Sequence, residues 1–326
     1  MNLLLSPKNG ETVSLHTEHQ KIFFENHEEY SQDQKWRDKI GAPQFCSVPA
    51  PVHFEWSSDG NEDEFVLSAS ADFSTALHRI KANGECDIYN LEIGKTYFWR
   101  VGDSEIYSFT TENTPPRMIR GGAAINVRDI GGYNTLYGRR VKQGLIYRGR
   151  KFVIGEKSLP RGRTFLIDGL GLKYELDLRQ TWEDPCDVSP LGSDVGYIRI
   201  PCDSYNEFLG NIEVSTRLFR FIIETLKSGN APLYIHCAGG ADRTGSVVML
   251  ILAVLGVSDD DILLDYETTT LCDFDTMSRH GEEVSKYIAG LKNNGETFHE
   301  SLCGYLLSAG VSHAEMDELR DLMLEK

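Results

Sequence analysis

No stretch of this 326-residue chain approaches the roughly 18 consecutive apolar residues of a membrane span, and the leucine run within Met1 to Asn9 is too short for a secretory h-region. Membrane insertion is therefore not expected, and a cytoplasmic location is. Repeats of fixed period, low-complexity tracts and C-x-x-C pairs are also missing. Their absence removes solenoids, zinc knuckles and thioredoxin-like redox chemistry. Basic charge is scarce: 33 Lys and Arg stand against 49 Asp and Glu, a net charge of −16. Such a field repels a nucleic-acid backbone, so no nucleic-acid partner is expected, and an anionic ligand must be held by a local site. What is present is ordinary globular usage, 40% hydrophobic and 25% charged, at a length that allows two domains of about 100 to 200 residues each.

The seven cysteines, Cys46, Cys86, Cys186, Cys202, Cys237, Cys272 and Cys303, are odd in number and scattered. They indicate neither a disulfide framework nor a metal site, and a small buried hydrophobe is the expectation for each except Cys237.

Up to about Thr111 the chain reads as short alternating runs broken by turn residues: Val52 to Trp56, Glu64 to Ser68, Asp87 to Leu91, Lys95 to Val101 and Tyr107 to Thr111. Period-two strands at this spacing predict an all-β antiparallel sandwich. The run Leu91 to Val101, followed by Tyr107 to Thr111, resembles the last strands of fibronectin type III modules. Glu25 to Ile40 is too polar for a strand and reads as a helical or loop insertion near the start of that sandwich. Pro115-Pro116 then marks a boundary, because consecutive prolines cannot continue a ladder. The expected division is 1–113, an immunoglobulin- or fibronectin-like sandwich, and 114–326, an α/β domain.

In the second part, strands alternate with longer helical patterns, which implies a parallel-core sheet flanked by helices. Tyr174 to Leu178, Tyr197 to Pro201 and Leu233 to His236 read as strands, the last two taken as neighbours joined by a crossover helix over Glu213 to Lys227. Thr244 to Leu255 is almost wholly apolar and reads as a buried helix. Ser258 and Ser312 open two more helices as capping-box residues.

The segment Leu233-Tyr-Ile-His-Cys-Ala-Gly-Gly-Ala-Asp-Arg-Thr-Gly245 puts a strand, a loop of small residues and a helix start in succession. The backbone N–H groups of Ala238, Gly239, Gly240, Ala241, Asp242 and Arg243 can turn inward there and cradle an anion. At the base of the cradle, the same donors and the helix start favour a thiolate at Cys237, a nucleophile. Arg243, six positions on, can return to the loop mouth and bind two oxygens of a tetrahedral oxyanion with its planar fork. The Thr244 hydroxyl can reach the sulfur and ease its departure.

Cys-x5-Arg, with His236 before it and Thr244-Gly245 after it, resembles the signature of the cysteine-dependent protein tyrosine phosphatases. Asn126 to Tyr133, Gly138 to Gly149, Leu176 to Arg179 with Glu183, and Asp265 to Thr268 resemble successive blocks of the bacterial tyrosine and dual-specificity type, over roughly residues 118 to 275. The resemblance implies hydrolysis of phosphomonoesters through a phosphocysteine intermediate, with no metal or other cofactor and a phosphotyrosine protein or small phosphomonoester as partner. In that family the loop commonly carries Lys where this chain has Ala241, which argues against lipid or polyphosphate substrates. The resemblance implies that His236 helps set the loop and the thiolate through hydrogen bonds, with a purely structural role as the alternative.

Such a reaction needs a general acid for the leaving oxygen. The candidates are Asp203, Asp242, Asp177 and Asp184. Asp203, just beyond the strand ending at Pro201, lies in a stretch that resembles the acid loop of dual-specificity phosphatases and is preferred. Asp242, inside the cradle, is next. Asp177 with Arg179, and Arg128 with Asp129, read as structural pairs. The alternatives are a phosphoinositide or inositol phosphate phosphatase of the same mechanism, a sulfurtransferase and a non-catalytic phosphate-binding module.

Overall fold

The computed structural model describes residues 3–272, 277–291 and 294–326. Met1 and the last residues of the 118–275 span, 273–275, lie outside the described residues. The chain divides into two compact units, one of Met1–Thr17 and Pro49–Arg117, the other of Glu18–Val48 and Met118–Lys326. This differs from a single cut at 113. The polar segment expected as an insertion in the sandwich goes with the second unit, as helices α1 (Glu18–Glu25), α2 (His27–Tyr30) and α3 (Trp36–Ile40). The reason is apolar: Phe23 and Trp36, both fully buried, share a cluster with Met118 and Leu271.

In the first unit, β1 (Leu4–Ser6), β3 (Val52–Trp56) and β6 (Glu85–Ile88) form one sheet in the order β1-β3-β6. A second sheet, β2-β8-β7-β4-β5, is built from β2 (Glu11–Val13), β4 (Asp63–Ser68), β5 (Ala76–Ala82), β7 (Thr96–Val101) and β8 (Tyr107–Thr111). Strand alternation works as period two requires: Val52, Phe54 and Trp56 are buried while His53 and Glu55 are exposed. Phe54 of the first sheet packs on Phe65, Trp99 and Phe109 of the second, with ring centroids 4.7, 5.1 and 5.6 Å apart. The two sheets therefore share one core.

The second unit is built on a sheet of order β12-β11-β13-β10-β9: β9 (Arg128–Asp129), β10 (Ile146–Arg150), β11 (Tyr174–Asp177), β12 (Gly196–Arg199) and β13 (Leu233–Cys237). All pairs are parallel except β9 with β10. The strands at 197 and 233 are not neighbours, because β11 lies between them; both still end at the same sheet edge. β13 is central and buried at every residue. After α4 (Ser158–Gly162) and α5 (Tyr205–Gly210), α6 (Ile212–Lys227) makes the crossover into β13. Helix α7 (Asp242–Val254) follows, and from Thr244 onward every residue is buried. α8 (Asp259–Glu267) is capped by Ser258, and α9 (Glu282–Leu291), α10 (Phe298–Ser308) and α11 (His313–Met323) complete the unit. Among the described residues, no helix is long and apolar enough to cross a membrane.

Candidate active site

Cys237 ends β13 at the carboxyl edge of the sheet, where an open α/β layer collects ligands, and α7 begins five residues later. It is buried, at 3% exposure. Between strand and helix, the carbonyls of Gly239, Gly240 and Ala241 have protein donors, as does that of Cys237. Asn126 Nδ2 donates to Gly239 O (3.2 Å) and Gly240 O (3.3 Å), Arg148 Nη2 donates to Gly240 O (2.5 Å), and the Lys151 N–H donates to Cys237 O (3.1 Å). The Gly245 N–H takes Ala241 O at 2.7 Å. By contrast, the N–H groups of Ala238, Gly239, Gly240, Ala241, Asp242 and Arg243 donate to no protein acceptor among the described residues. With three of its four carbonyls fastened and its amides unclaimed, this loop can satisfy an anion. Thr244 Oγ1 is also buried without a partner at the start of α7.

Gly240 shows why the loop needs small residues. Its φ is +71°, and a Cβ there would lie 2.2 Å from Gly149 O of β10. Gly240→Ala is expected to lower kcat/KM about 100-fold, as a displacement near 1 Å at a reacting centre does, and to weaken vanadate binding. Steady-state kinetics and vanadate titration check it.

Arg243 reaches the same mouth. Its Nη1 and Nη2 donate to Glu183 Oε2 and Oε1 at 2.5 and 2.9 Å, a bidentate pair. Of five guanidinium N–H groups, two are thereby used to orient the plane and three are left for a ligand. Arg243 is pushed further above its ordinary value, first by the Glu183 hydrogen bond and then by the charge of Cys237, against its burial. The Glu183 carboxyl is held below its usual range chiefly by Arg243.

Beneath the loop lies a buried ionic cluster. Asp265 of α8 accepts from Arg128 Nε at 2.8 Å and from Arg148 Nη1, and Arg128 Nη1 donates to Asn126 Oδ1 at 2.6 Å. All three charged side chains are at most 1% exposed. Two cations against one carboxylate leave a net positive base under the cradle, the local site that a chain of net charge −16 requires. Arg128 and Asp129 thus serve separate networks: Arg128 is bound to Asp265, and Asp129 accepts the N–H groups of Gly131 (2.8 Å) and Gly144 (2.7 Å).

Comparison with known proteins bears on this geometry. The profile of the tyrosine phosphatase family matches residues 122–325. The chain belongs to the tyrosine phosphatase family. It is 31% identical to a protein of Cupriavidus necator named as a tyrosine-protein phosphatase, over 43% of this chain and 59% of that one. It is 27% identical to the triple specificity protein phosphatase PtpB of Mycobacterium tuberculosis, over 39% of this chain and 55% of that one. The matched stretch thus spans a little over half of each curated relative. Among solved structures, P. aeruginosa TpbA is similar at 18% identity and a TM-score of 0.34, over 52% of this chain and 88% of that one, too distant a likeness to add weight.

In this member of the tyrosine phosphatase family the four acid candidates sit in different surroundings. Asp177 is buried and bound by Arg179 Nη2 (2.7 Å), Tyr197 Oη (2.8 Å) and Arg199 Nη2 (3.1 Å). Burial raises its carboxyl, but the Arg179 hydrogen bond and nearby charges outweigh that and hold it far below the usual range. Asp184 pairs with Arg179 at 2.8 Å. Asp242 accepts from Tyr205 Oη at 2.5 Å, and Tyr205 Oη lies 2.7 Å from Tyr266 Oη. Asp203 and Asp242 are both exposed, and of the four Asp203 alone takes no hydrogen bond or ion pair among the described residues. Its loop is tied to α7, because the N–H of Tyr205, held at φ +52°, donates to Ser246 Oγ at 2.9 Å. Cys202, next to Asp203, has its thiol pushed up to about 12, by burial first and then by the charge of Cys237, with Arg243 opposing.

His236 is fully buried, with Nε2 2.8 Å from Glu175 Oε1 and Nδ1 3.2 Å from Cys237 O. The tyrosine phosphatase unit also holds residues to which the sequence reading gave no role of their own. Glu183, Tyr205, Asn126 and Arg148 had no assigned part. Each acts through a partner 37 to 117 residues away, a distance that spacing rules do not cover.

Proposed function

We propose that this chain hydrolyses phosphomonoesters, phosphotyrosine foremost, through a phosphocysteine intermediate on Cys237. The supporting observation is the ring of unclaimed amides from Ala238 to Arg243 beside Cys237, with three free guanidinium N–H groups opposite. Six inward donors and a guanidinium match the oxygens of a phosphoryl group as charge spreads over them. In the first step the Cys237 thiolate forms an S–P bond as the P–O bond to the leaving group breaks, and Asp203 gives its proton to the departing oxygen. In the second, water attacks phosphorus, Asp203 takes back the water's proton, and the S–P electron pair returns to sulfur as phosphate leaves. The Thr244 hydroxyl stabilises that returning charge. Ala238, Gly239, Gly240, Ala241, Asp242 and Thr244 are the substrate-binding residues of this reading.

Asp203→Asn tests it. On a phosphotyrosine peptide kcat should fall about 100-fold or more, the usual contribution of a general acid, whereas an aryl phosphate with a strongly acidic leaving group should lose far less. Normal rates of the Asn variant on poor leaving groups would move the acid to Asp242. The substrate panel should include soluble phosphoinositides, the alternative substrates for the same mechanism; the missing Lys at Ala241 and the acidic chain favour phosphotyrosine over them.

The first unit is read as a fibronectin type III-like module, supported by its two sheets around one core. A cytoplasmic location is part of the same reading, and the seven free cysteines agree with a reducing compartment.

A further inference from the structure

We propose that Trp182 is a specificity-determining residue, an aromatic wall that stacks on the aryl group of a phosphomonoester seated in the Cys237 cradle. The inference rests on the phosphatase reading and deepens it. Trp182 is 81% exposed, while Trp36, Trp56 and Trp99 are at most 2% exposed. Tryptophan brings about 150–250 Å² of surface that favours burial, so a bare indole on a fixed turn is a ring without its partner. It makes no ring, hydrogen-bond or cation contact among the described residues.

The turn is fixed, and fixed to the site. Glu183 accepts the Gln180 N–H at 2.8 Å while its carboxylate also grips Arg243 at 2.5 Å, and the Glu183 N–H donates to Gln180 O at 3.1 Å. On one side Arg179 is bound to Asp177 at 2.7 Å, and on the other to Asp184 at 2.8 Å. Trp182 is therefore carried on a four-residue turn whose next side chain touches the guanidinium that binds phosphate. The turn leaves β11, which flanks β13 on one side. On the other side β10 leads to Val153 and Ile154, 54% and 42% exposed. By strand order, apolar side chains thus rise on both sides of the loop that follows β13. A cationic floor between apolar walls fits a phosphate joined to an aromatic ring; further phosphates on an inositol ring would meet hydrocarbon there.

Two measurements decide it. First, Trp182→Ala should lower kcat/KM for a phosphotyrosine peptide about tenfold, mainly through KM, as loss of an aromatic contact does. A small alkyl phosphomonoester should change less than twofold, and Trp182→Phe should recover part of the loss. Second, since Trp182 is the exposed indole of the four, acrylamide quenching of fluorescence reports on it. In the Cys237→Ser variant, a phosphotyrosine peptide lacking tryptophan should protect it from quenching and inorganic phosphate should not. Equal effects on aryl and alkyl substrates, or unchanged quenching with peptide bound, overturn the proposal. Absence of turnover on every phosphomonoester would instead sink the phosphatase reading, and the quenching comparison would still decide Trp182.

Discussion

Cys237→Ser removes phosphate release by about 10⁴-fold or more, the scale on which loss of a catalytic nucleophile acts, while the variant still binds vanadate and phosphotyrosine peptide. A serine hydroxyl is not ionised near neutral pH, and no base among the described residues is hydrogen-bonded to position 237 to take its proton. The amides and Arg243 are untouched, so ligand binding persists. The neighbouring thiol supplies the control. Cys202 is as buried as Cys237, 3% exposed in both cases, but its thiol is pushed up to about 12 by burial and by the charge of Cys237. It stays protonated, and Cys202→Ser should leave turnover within a few-fold. Trapping a phosphorylated protein in single turnover, and losing it in the Cys237 variant alone, checks both halves; a labelled Cys202 would overturn the assignment.

Asp265→Asn unfolds more than it inactivates. The carboxylate is the counter-charge to Arg128 and Arg148, and all three side chains are at most 1% exposed. Removing it strands two buried guanidiniums, a change that costs about 3 to 5 kcal/mol. For a unit of this size that corresponds to a melting temperature lower by about 6 to 20 °C. The double variant with Arg148→Met should recover part of the loss, because neighbouring changes in one network do not add. Burial raises the Asp265 carboxyl, but the two arginines outweigh burial and lower it below its ordinary 3.8. Its stabilisation is therefore complete above about pH 4 and disappears as pH falls through the lower folded value. Thermal unfolding of both variants, and of the wild type from pH 7 to pH 3, tests the magnitude and the sign.

The parts that periodicity and local chemistry control were legible. Val52 to Trp56 alternates and is a strand, Glu213 to Lys227 has helical spacing and is a helix, and the small residues after Cys237 make a loop with open amides. What escaped was set by distant partners. Ile146–Arg150 is a buried strand with two arginines and a glycine in it, tolerable because Arg148 meets Asp265 117 residues on. Glu183 stands on an ordinary polar turn, and only the folded chain brings Arg243 to it, 60 residues away. The order of strands was misread for a similar reason, since connection length alone does not say that β11 lies between β12 and β13. Residues 18–48 look like surface decoration because their polar side chains dominate, yet Phe23 and Trp36 are anchors.

That last segment has a practical consequence for anyone dissecting the molecule. The backbone passes from the first unit to the second at Glu18, returns at Pro49 and passes over again at Met118, so three junctions, not one, stitch the halves together. The family profile begins only at residue 122. A recombinant fragment cut to match it would discard His27, which sits 2.9 Å from Glu267, and Arg37, which caps the carbonyl of Thr270 at 2.5 Å. Modular in architecture, the protein is not modular to scissors.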